Sequence, residues 1–200
     1  MALYSSPDAT TLLFSAMEAY YPLKEETKAA LALLVRQRKV PAKTIYLRED
    51  ARPHYISFVC SGLFSYYTSA ENGDQIIKIF FEENSFMAST SALINRKPGL
   101  FTIKALEDAE VMEIDFYAFK KLTGQHIDLA QFWINYLEKN WVVAKEENEI
   151  NLKYLTAKDR YDRFRQQHPE LHNRIKLKDM ASYLGVTPTQ MSRIRNAQHM

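Results

Sequence analysis

The chain has 200 residues, 46% of them apolar, which suits one large domain or two small ones with a proper core. Its only cysteine, Cys60, excludes a disulfide framework and a thiolate metal cluster, and no run approaches the roughly 18 apolar residues of a membrane span. Residues 1–152 hold 16 Lys and Arg against 20 Asp and Glu, whereas residues 153–200 hold 10 against 4. A basic end on an acidic body is typical of a chain that binds phosphate groups at that end, and a solvated surface of uneven charge is the alternative.

The first residues predict two short helices and no targeting segment. Asp8 or Thr10 caps the first helix, Pro22 interrupts the pattern, and a second helix is predicted over residues 24–35. The N-terminus lacks the basic segment followed by an apolar stretch that marks a secretory signal. We therefore expect a cytoplasmic protein without a membrane partner.

From about residue 44 to residue 114 the apolar period becomes that of β-strands. The predicted strands cover residues 44–47, 55–59, 63–68, 75–81, 101–105 and 110–114. Between two of them, Asn72-Gly73 predicts a hairpin turn, since both central residues of a two-residue turn favour positive φ. Cys60 ends an apolar run and is expected to behave as a small buried hydrophobe. Many short strands at this spacing predict a small barrel or sandwich.

From about residue 115 the chain is predicted to be helical again, and its longest helix covers residues 129–154. Apolar and aromatic side chains recur there with a heptad period, at Leu129, Trp133, Tyr136, Val143, Ile150 and Tyr154. Asn140 and Glu147 fall on the same seam, and a polar Asn at such a position fixes the register between two helices. The pattern predicts a homodimer formed through this helix, and the alternative is that the stripe packs on the chain's own strands.

Residues 177–196 predict a helix-turn-helix that binds duplex DNA. Ala181 provides a small residue where two helices approach, and Gly185 provides a turn residue at positive φ. Thr187 is the predicted N-cap of the second helix, which begins at Pro188 and has a capping box with Gln190. The side chains expected to contact base edges and phosphates are Lys178, Thr187, Thr189, Gln190, Ser192, Arg193, Arg195 and Asn196. In a dimer, two such helices predict a palindromic binding site.

The order of strands, long helix and helix-turn-helix resembles the Crp/Fnr family of bacterial transcription regulators over nearly the whole chain. The segments that carry the resemblance are residues 55–62, 73–74, 83–87, 105–111, 157–161 and 181–195. The last of them is similar to a branch with many members in Bacteroidetes-type bacteria. Arg193 falls where family members place an arginine that reads guanine.

The resemblance implies an α+β protein with three parts. A jelly-roll, cyclic-nucleotide-binding-like sensor domain is expected over residues 1–125, with flanking helices. A dimerisation helix is expected over residues 126–153 and an all-α helix-turn-helix domain over residues 154–200. The implied function is that of a DNA-binding transcription regulator, with double-stranded DNA and a second copy of the chain as partners and RNA polymerase as a candidate partner.

Two departures from the family pattern change what is expected of the effector and of the C-terminus. Members that bind cyclic AMP carry Gly-Glu-Leu and later Arg-Ser, which hold the ribose hydroxyl and the cyclic phosphate. Here residues 88–90 read Ala-Ser-Thr, residues 99–100 read Gly-Leu, and Arg96 and Lys97 fall in the intervening loop. We therefore expect an effector other than cyclic AMP, in a pocket formed by Ala88, Ser89, Thr90, Trp133 and Tyr136. Only four residues follow Asn196, so we expect no wing after the second helix.

Two other functions were weighed against this one. A ligand-binding regulatory module that acts through protein partners, with weak or lost DNA binding, is the main alternative. For an enzyme, His168 and His172 have a spacing that binds metal on a helix, but Pro169 breaks the helix between them. Cys60 and His54 have no third group to orient a base. We therefore predict neither catalysis nor a bound metal or cofactor.

Overall fold

Two four-stranded antiparallel sheets over residues 35–115 form a β-sandwich in the computed structural model, which describes residues 8–197. One sheet has the strand order β1-β8-β3-β6 and the other β2-β7-β4-β5. The strands are β1 (Val35–Val40), β2 (Ile45–Leu47), β3 (Tyr55–Ser61), β4 (Phe64–Ser69), β5 (Gln75–Phe81), β6 (Phe86–Met87), β7 (Thr102–Ala105) and β8 (Ala109–Asp115). This sandwich, called the β-roll below, confirms the prediction of a small all-β unit.

Helices precede, interrupt and follow the β-roll. They are α1 (Ala9–Glu18), α2 (Glu25–Ala32), α3 (Thr90–Asn95), α4 (Phe116–Thr123), α5 (Ile127–Leu137), α6 (Ala144–Tyr154), α7 (Ala157–Gln167), α8 (Leu171–Arg174), α9 (Leu177–Leu184) and α10 (Pro188–Asn196). Asp8 caps α1, since its carboxylate accepts the N–H of Thr11 at 2.8 Å. Across the described residues, no helix combines the length and the apolar character needed to cross a bilayer.

Both sheets are covered on their outer faces, so the core has three layers. Val59, Tyr66 and Val111 pack between the sheets. Phe58 and Met112 face outward from β3 and β8 and pack against the helices around the β-roll. The outer face of β4 and β5 packs instead against the C-terminal helices. Because both faces of β3 are covered, its buried residues run almost continuously rather than alternating.

The second helix ends earlier than predicted, because residues Val35–Val40 form a strand. α2 ends at Ala32, and β1 then pairs with β8 from Val35↔Ile114 to Val40↔Ala109. The residues of β1 are mostly polar and exposed, so no alternation of apolar residues marks it. The strand is held by its partner: Arg36 and Arg38 donate to the fully buried carboxylate of Glu113.

The hairpin between β4 and β5 is present, but its turn differs from the prediction. Of the two central residues, only Gly73 has positive φ, at +82°. Asn72 instead accepts the N–H of Asp74 with its side-chain oxygen at 3.0 Å. The Gly73 N–H donates to Ala70 O at 2.9 Å, so the loop has three residues and ends on a left-handed glycine.

The predicted long helix is interrupted by a π-helical segment, Glu138–Val143, between α5 and α6. A π-helical turn holds more residues than an α-helical one, so positions seven apart no longer share one face. Leu129 and Trp133 are buried in the chain's own core, whereas Val143 and Ile150 are exposed. The prediction of a dimer seam is therefore wrong for the first half of the heptad stripe. There the stripe packs on the chain's own core, which was the alternative interpretation.

Tyr136 and Asn140, also placed on that seam, make bonds within the chain. The Tyr136 hydroxyl donates to Phe86 O at 3.4 Å. The Asn140 amide donates to the Tyr20 hydroxyl at 3.0 Å and to Tyr136 O at 2.9 Å. The amide of Asn140 is thus engaged by its own chain, although its side chain lies at the exposed surface.

The last two helices begin and end where the sequence predicts. Gly185 ends α9 at φ +68°, a conformation that costs a glycine little. Thr187 caps α10, Pro188 is its first residue, and Gln190 completes the capping box, as predicted. Met180, Leu184 and other apolar side chains of this hairpin are buried. The described residues end at Ala197. The predicted lack of a wing therefore concerns residues that partly lie outside the described range.

Candidate nucleic-acid interface and ligand sites

The outer face of α10 is open to solvent. Thr189, Gln190, Arg193 and Asn196 are exposed, and Ser192 and Arg195 are half-buried. Met191 points the other way and is fully buried, which orients the helix. Among the described residues Arg193 has no ion-pair partner, so its guanidinium is available to an external acceptor. This arrangement presents donors for base edges next to the positive N-terminal end of a helix.

Two of the predicted contact residues already serve the cap of α10. The Gln190 side-chain oxygen accepts the Thr187 N–H at 3.0 Å and the Thr187 hydroxyl at 3.2 Å. A two-pronged contact of Gln190 with adenine needs both its oxygen and its NH₂ group. Gln190 can therefore donate to an acceptor while capping, but it must give up the cap to read adenine fully.

The C-terminal helices are joined to the β-roll along the free edge of β5. The Ser182 hydroxyl of α9 accepts the N–H of Ile77 at 3.0 Å and donates to the carbonyl of Gln75. Ile77 and Phe80 pack against this hairpin and its neighbours. Since β5 is an edge strand, a helix that satisfies its backbone groups also protects it from pairing with another chain.

Arg174 fastens α8 to the β-roll through two carboxylates. Its guanidinium donates twice to Glu83, both at 2.8 Å, and to Glu107 at 2.6 and 3.1 Å. Hydrogen bonds that Arg174 donates to Glu107 and Glu83 raise the pKa of Arg174 above its ordinary value. Burial raises the pKa of Glu83, but hydrogen bonds from Arg174 and from the Gly62 N–H outweigh it, so this pKa is lowered. A two-pronged pair of this kind also sets the orientation of the helix.

Replacing Arg174 with methionine should lower the free energy of unfolding by about 1–3 kcal/mol, because two partly buried carboxylates lose their partner. The measurement is urea denaturation. A lowered Glu83 pKa stabilises the folded state above the unfolded-state pKa, so the difference should shrink as the pH falls below about 4.3. The control Lys158→Met breaks an exposed ion pair with Asp162 at 2.7 Å and should lower the free energy of unfolding far less than Arg174→Met does. Equal losses for the two variants would contradict the role of Arg174.

The residues predicted to form the effector pocket do not line one cavity. Ser89 lies between the sheets, and its hydroxyl is 3.1 Å from that of Tyr66, whose ring is 4.6 Å from that of Phe101. Ala88 and Thr90 are buried beside Ser89. Trp133 and Tyr136 pack with Phe86 and Phe132 outside the β3–β8 sheet, around a space of only about 10 Å³ that residues 88–90 do not line. Such a space holds no more than a water molecule.

The structure surrounds the ammonium group of Lys78 with three aromatic rings, an arrangement that the sequence did not predict. The Lys78 ammonium lies 4.9 Å from the ring centre of Phe101, 5.8 Å from that of Tyr66 and 5.9 Å from that of Trp141. Burial, and then the charge of Lys145, lower the Lys78 pKa. The only available signal was a lysine inside the apolar strand QIIKIFF. Cation–π contacts thus connect β5 with β4, with the residue before β7 and with the π-helical segment.

His168 and Cys60, two of the candidates for enzyme chemistry, lie in structural surroundings. His168 Nδ1 lies 2.5 Å from a carboxylate oxygen of Glu82. Within residues 8–197, no three His, Cys, Asp or Glu side chains are grouped to bind a metal. Cys60 is half-buried rather than buried, and burial, with Glu110, raises the pKa of its thiol to about 11. Such a thiol is protonated at neutral pH and is a weak nucleophile.

Comparison with known proteins identifies the class of the β-roll. Residues 37–126 match the family model described as the cyclic nucleotide-binding domain. This match runs from β1 to the end of the segment before α5, so the β-roll has the fold of a cyclic nucleotide-binding domain. No curated protein sequence matches the chain closely enough to be called a relative.

Several solved structures with the same fold are regulators of the Crp/Fnr type. FixK2 from Bradyrhizobium japonicum is 18% identical with a TM-score of 0.71, over 82% of this chain and 84% of that one. The c-di-GMP-responsive global regulator CLP from Xanthomonas campestris is 14% identical with a TM-score of 0.66, over 88% and 92%. A protein from Eubacterium rectale described as a transcriptional regulator of the Crp/Fnr family is 16% identical with a TM-score of 0.66, over 90% and 88%. At these identities the likeness concerns the fold.

Proposed function

We propose that this chain is a DNA-binding transcription regulator of the Crp/Fnr type that acts as a homodimer under the control of an effector other than cyclic AMP. The observation that carries the proposal is the open face of α10. There, Arg193 and three further polar side chains are exposed on a capped helix, while the opposite face is packed against α9. α9 and α10 would form the helix-turn-helix, with α10 in the major groove.

The charge of the C-terminal helices supports DNA as the partner. Residues 153–200 have 10 basic against 4 acidic side chains, and Lys176 and Lys178 are exposed at the beginning of α9. These two lysines, with Arg195, would hold phosphates, whereas Arg193 would reach a base edge. The docking of α9 on β5 uses Ser182 and leaves the outer face of α10 uncovered.

An exposed apolar stripe supports the homodimer. After the π-helical segment begins, Val142, Val143, Ile150, Leu152 and Tyr154 are all exposed on one continuous helical stretch. An isolated apolar side chain at a surface needs no explanation, but Val143, Ile150 and Tyr154 share one face at helical spacing and form a stripe that association would remove from water. We propose that the seam lies in this second half, with Val143 and Ile150 at its centre.

The function is tested by selecting DNA duplexes from a randomised pool with the full chain. We expect enrichment of a palindrome whose half-sites are separated by about one helical turn, roughly 34 Å, since two recognition helices of a symmetric dimer are related by a two-fold axis. Binding should weaken steeply as salt rises. If no sequence is enriched and binding does not depend on salt, the alternative of a module that acts through protein partners is correct.

Cyclic AMP should bind weakly or not at all. The Ser89 hydroxyl is engaged by Tyr66, and the Arg96 guanidinium lies over the ring of Tyr117 at 5.0 Å, on α4 outside the sandwich. No arginine of residues 88–100 is therefore placed to pair with a phosphate next to Ser89. Calorimetric titration with cyclic AMP should give a Kd weaker than about 1 mM. Micromolar binding with a preference for the cyclic form would contradict this expectation.

A further inference from the structure

A cavity of about 430 Å³ lies on the outer surface of the β-roll. It is lined by the loop before β3, the C-terminal end of α3 and the first turn of α4. The side chains that give it its character are Arg52, His54, Arg96, Lys97 and Tyr117. Its lining includes neither Ser89 nor Tyr66, so it is separate from the space between the sheets.

The charges that line this cavity are uncompensated. Three cations face it and no carboxylate does. Within the described part of the chain, Arg52, Arg96 and Lys97 form no ion pair, whereas Arg36, Arg38 and Arg174 all do. The carboxylate of Asp115, two residues before Tyr117, is occupied by the N–H groups of α4 that it caps. Cations held together without a counterion repel one another, and an anion in the cavity would remove that cost.

Arg96 and the backbone of the two loops are held in place by the surrounding structure. The Arg96 guanidinium lies 5.0 Å from the centre of the Tyr117 ring, and the Tyr117 hydroxyl donates to Leu93 O at 3.3 Å. Arg96 itself ends α3 at φ +54°, a region that side chains other than glycine rarely adopt. The N–H of Gly99 donates to Ala51 O at 3.0 Å, which joins the two loops that carry the cations. The backbone around the cavity and the Arg96 side chain are thus held in place before a ligand binds.

We propose that this cavity binds a phosphorylated small molecule that carries at least two negative charges and is about the size of a mononucleotide. Guanidinium groups pair with phosphate oxygens through two parallel hydrogen bonds, and Arg52 and Arg96 reach the cavity from opposite loops. The volume falls within the range of roughly 300–1,000 Å³ that is typical of small-molecule sites. The ligand would act on the sensor domain in addition to any effector between the sheets.

The test is calorimetric titration of the full chain with ATP, with pyrophosphate and with adenosine. We expect ATP and pyrophosphate to bind and adenosine not to bind. The double variant Arg52→Gln/Arg96→Gln should weaken ATP binding by at least about tenfold for each lost guanidinium contact. The matched control Lys39→Gln/Lys43→Gln removes the same charge from exposed positions outside the cavity and should keep the affinity of the unaltered protein.

Three outcomes would overturn the proposal. The first is that neither polyanion binds at millimolar concentration. The second is an equal loss in the two double variants, which would indicate a general charge effect. The third is that ATP binding depends on Arg193, which would place the ligand on the surface of α10. If the double variant does not fold, the single variant Lys97→Gln tests the same cavity. It should also weaken ATP binding.

Discussion

Replacing Val143 and Ile150 with glutamate should convert the protein from a dimer to a monomer. The two side chains are 52% and 58% exposed in the single chain, so a charge at either position costs little when the chain is alone. In a symmetric dimer, however, four carboxylates would meet across one apolar seam without partners. The expected dissociation constant rises by at least a hundredfold, or roughly 3 kcal/mol, as measured by light scattering and sedimentation.

A matched control separates this effect from general loss of apolar surface. Leu33 directly follows α2 and Ile94 lies on α3; they are 87% and 58% exposed and have no part in the proposed seam. The double variant Leu33→Glu/Ile94→Glu should therefore leave the dimer intact. A folded Val143→Glu/Ile150→Glu protein that stays dimeric would show that the copies meet through another surface.

Removing the Arg193 side chain should cost about 1–3 kcal/mol of binding free energy for each half-site of the selected duplex. Arg193 is exposed in the middle of α10, where a guanidinium can pair with two acceptor atoms of a guanine. On a scrambled duplex the loss should be much smaller, because only phosphate attraction remains there. The measurement is fluorescence anisotropy on both duplexes at two salt concentrations.

Lys178→Ala is the comparison for Arg193→Ala, because it should affect all sequences alike. The Lys178 ammonium lies 3.3 Å from a carboxylate oxygen of Asp74, in an exposed pair that a DNA phosphate can replace at little cost. Its loss should weaken both duplexes equally and reduce the slope of affinity against salt by about one phosphate contact. Equal losses on both duplexes for Arg193→Ala would mean that Arg193 contacts only phosphate, and base recognition would then need another residue.

Features with local causes could be predicted from the sequence, and they include much of the proposed DNA-binding surface. The cap of α10 depends on Thr187, Pro188 and Gln190, which are neighbours in the chain, and all three take the predicted roles. The end of α9 depends on Gly185 alone. Most strands of the β-roll followed from their apolar pattern and turns for the same reason. In the hairpin turn, however, the side chain of Asn72 replaced the expected backbone conformation.

Features whose causes lie far apart in the chain were decided only by the tertiary structure. β1 is held in place because its arginines bind Glu113 on β8, and no apolar periodicity in β1 predicts that pairing. A uniform heptad pattern could not reveal the π-helical segment. Trp133, before this segment, is buried, whereas Val143, at its end, is exposed. The cavity that unites Arg52 with Arg96 arises because backbone hydrogen bonds join two loops that are distant in sequence. Sequence patterns report a residue's neighbours within a few turns, whereas ion pairs and cavities depend on which elements pack together.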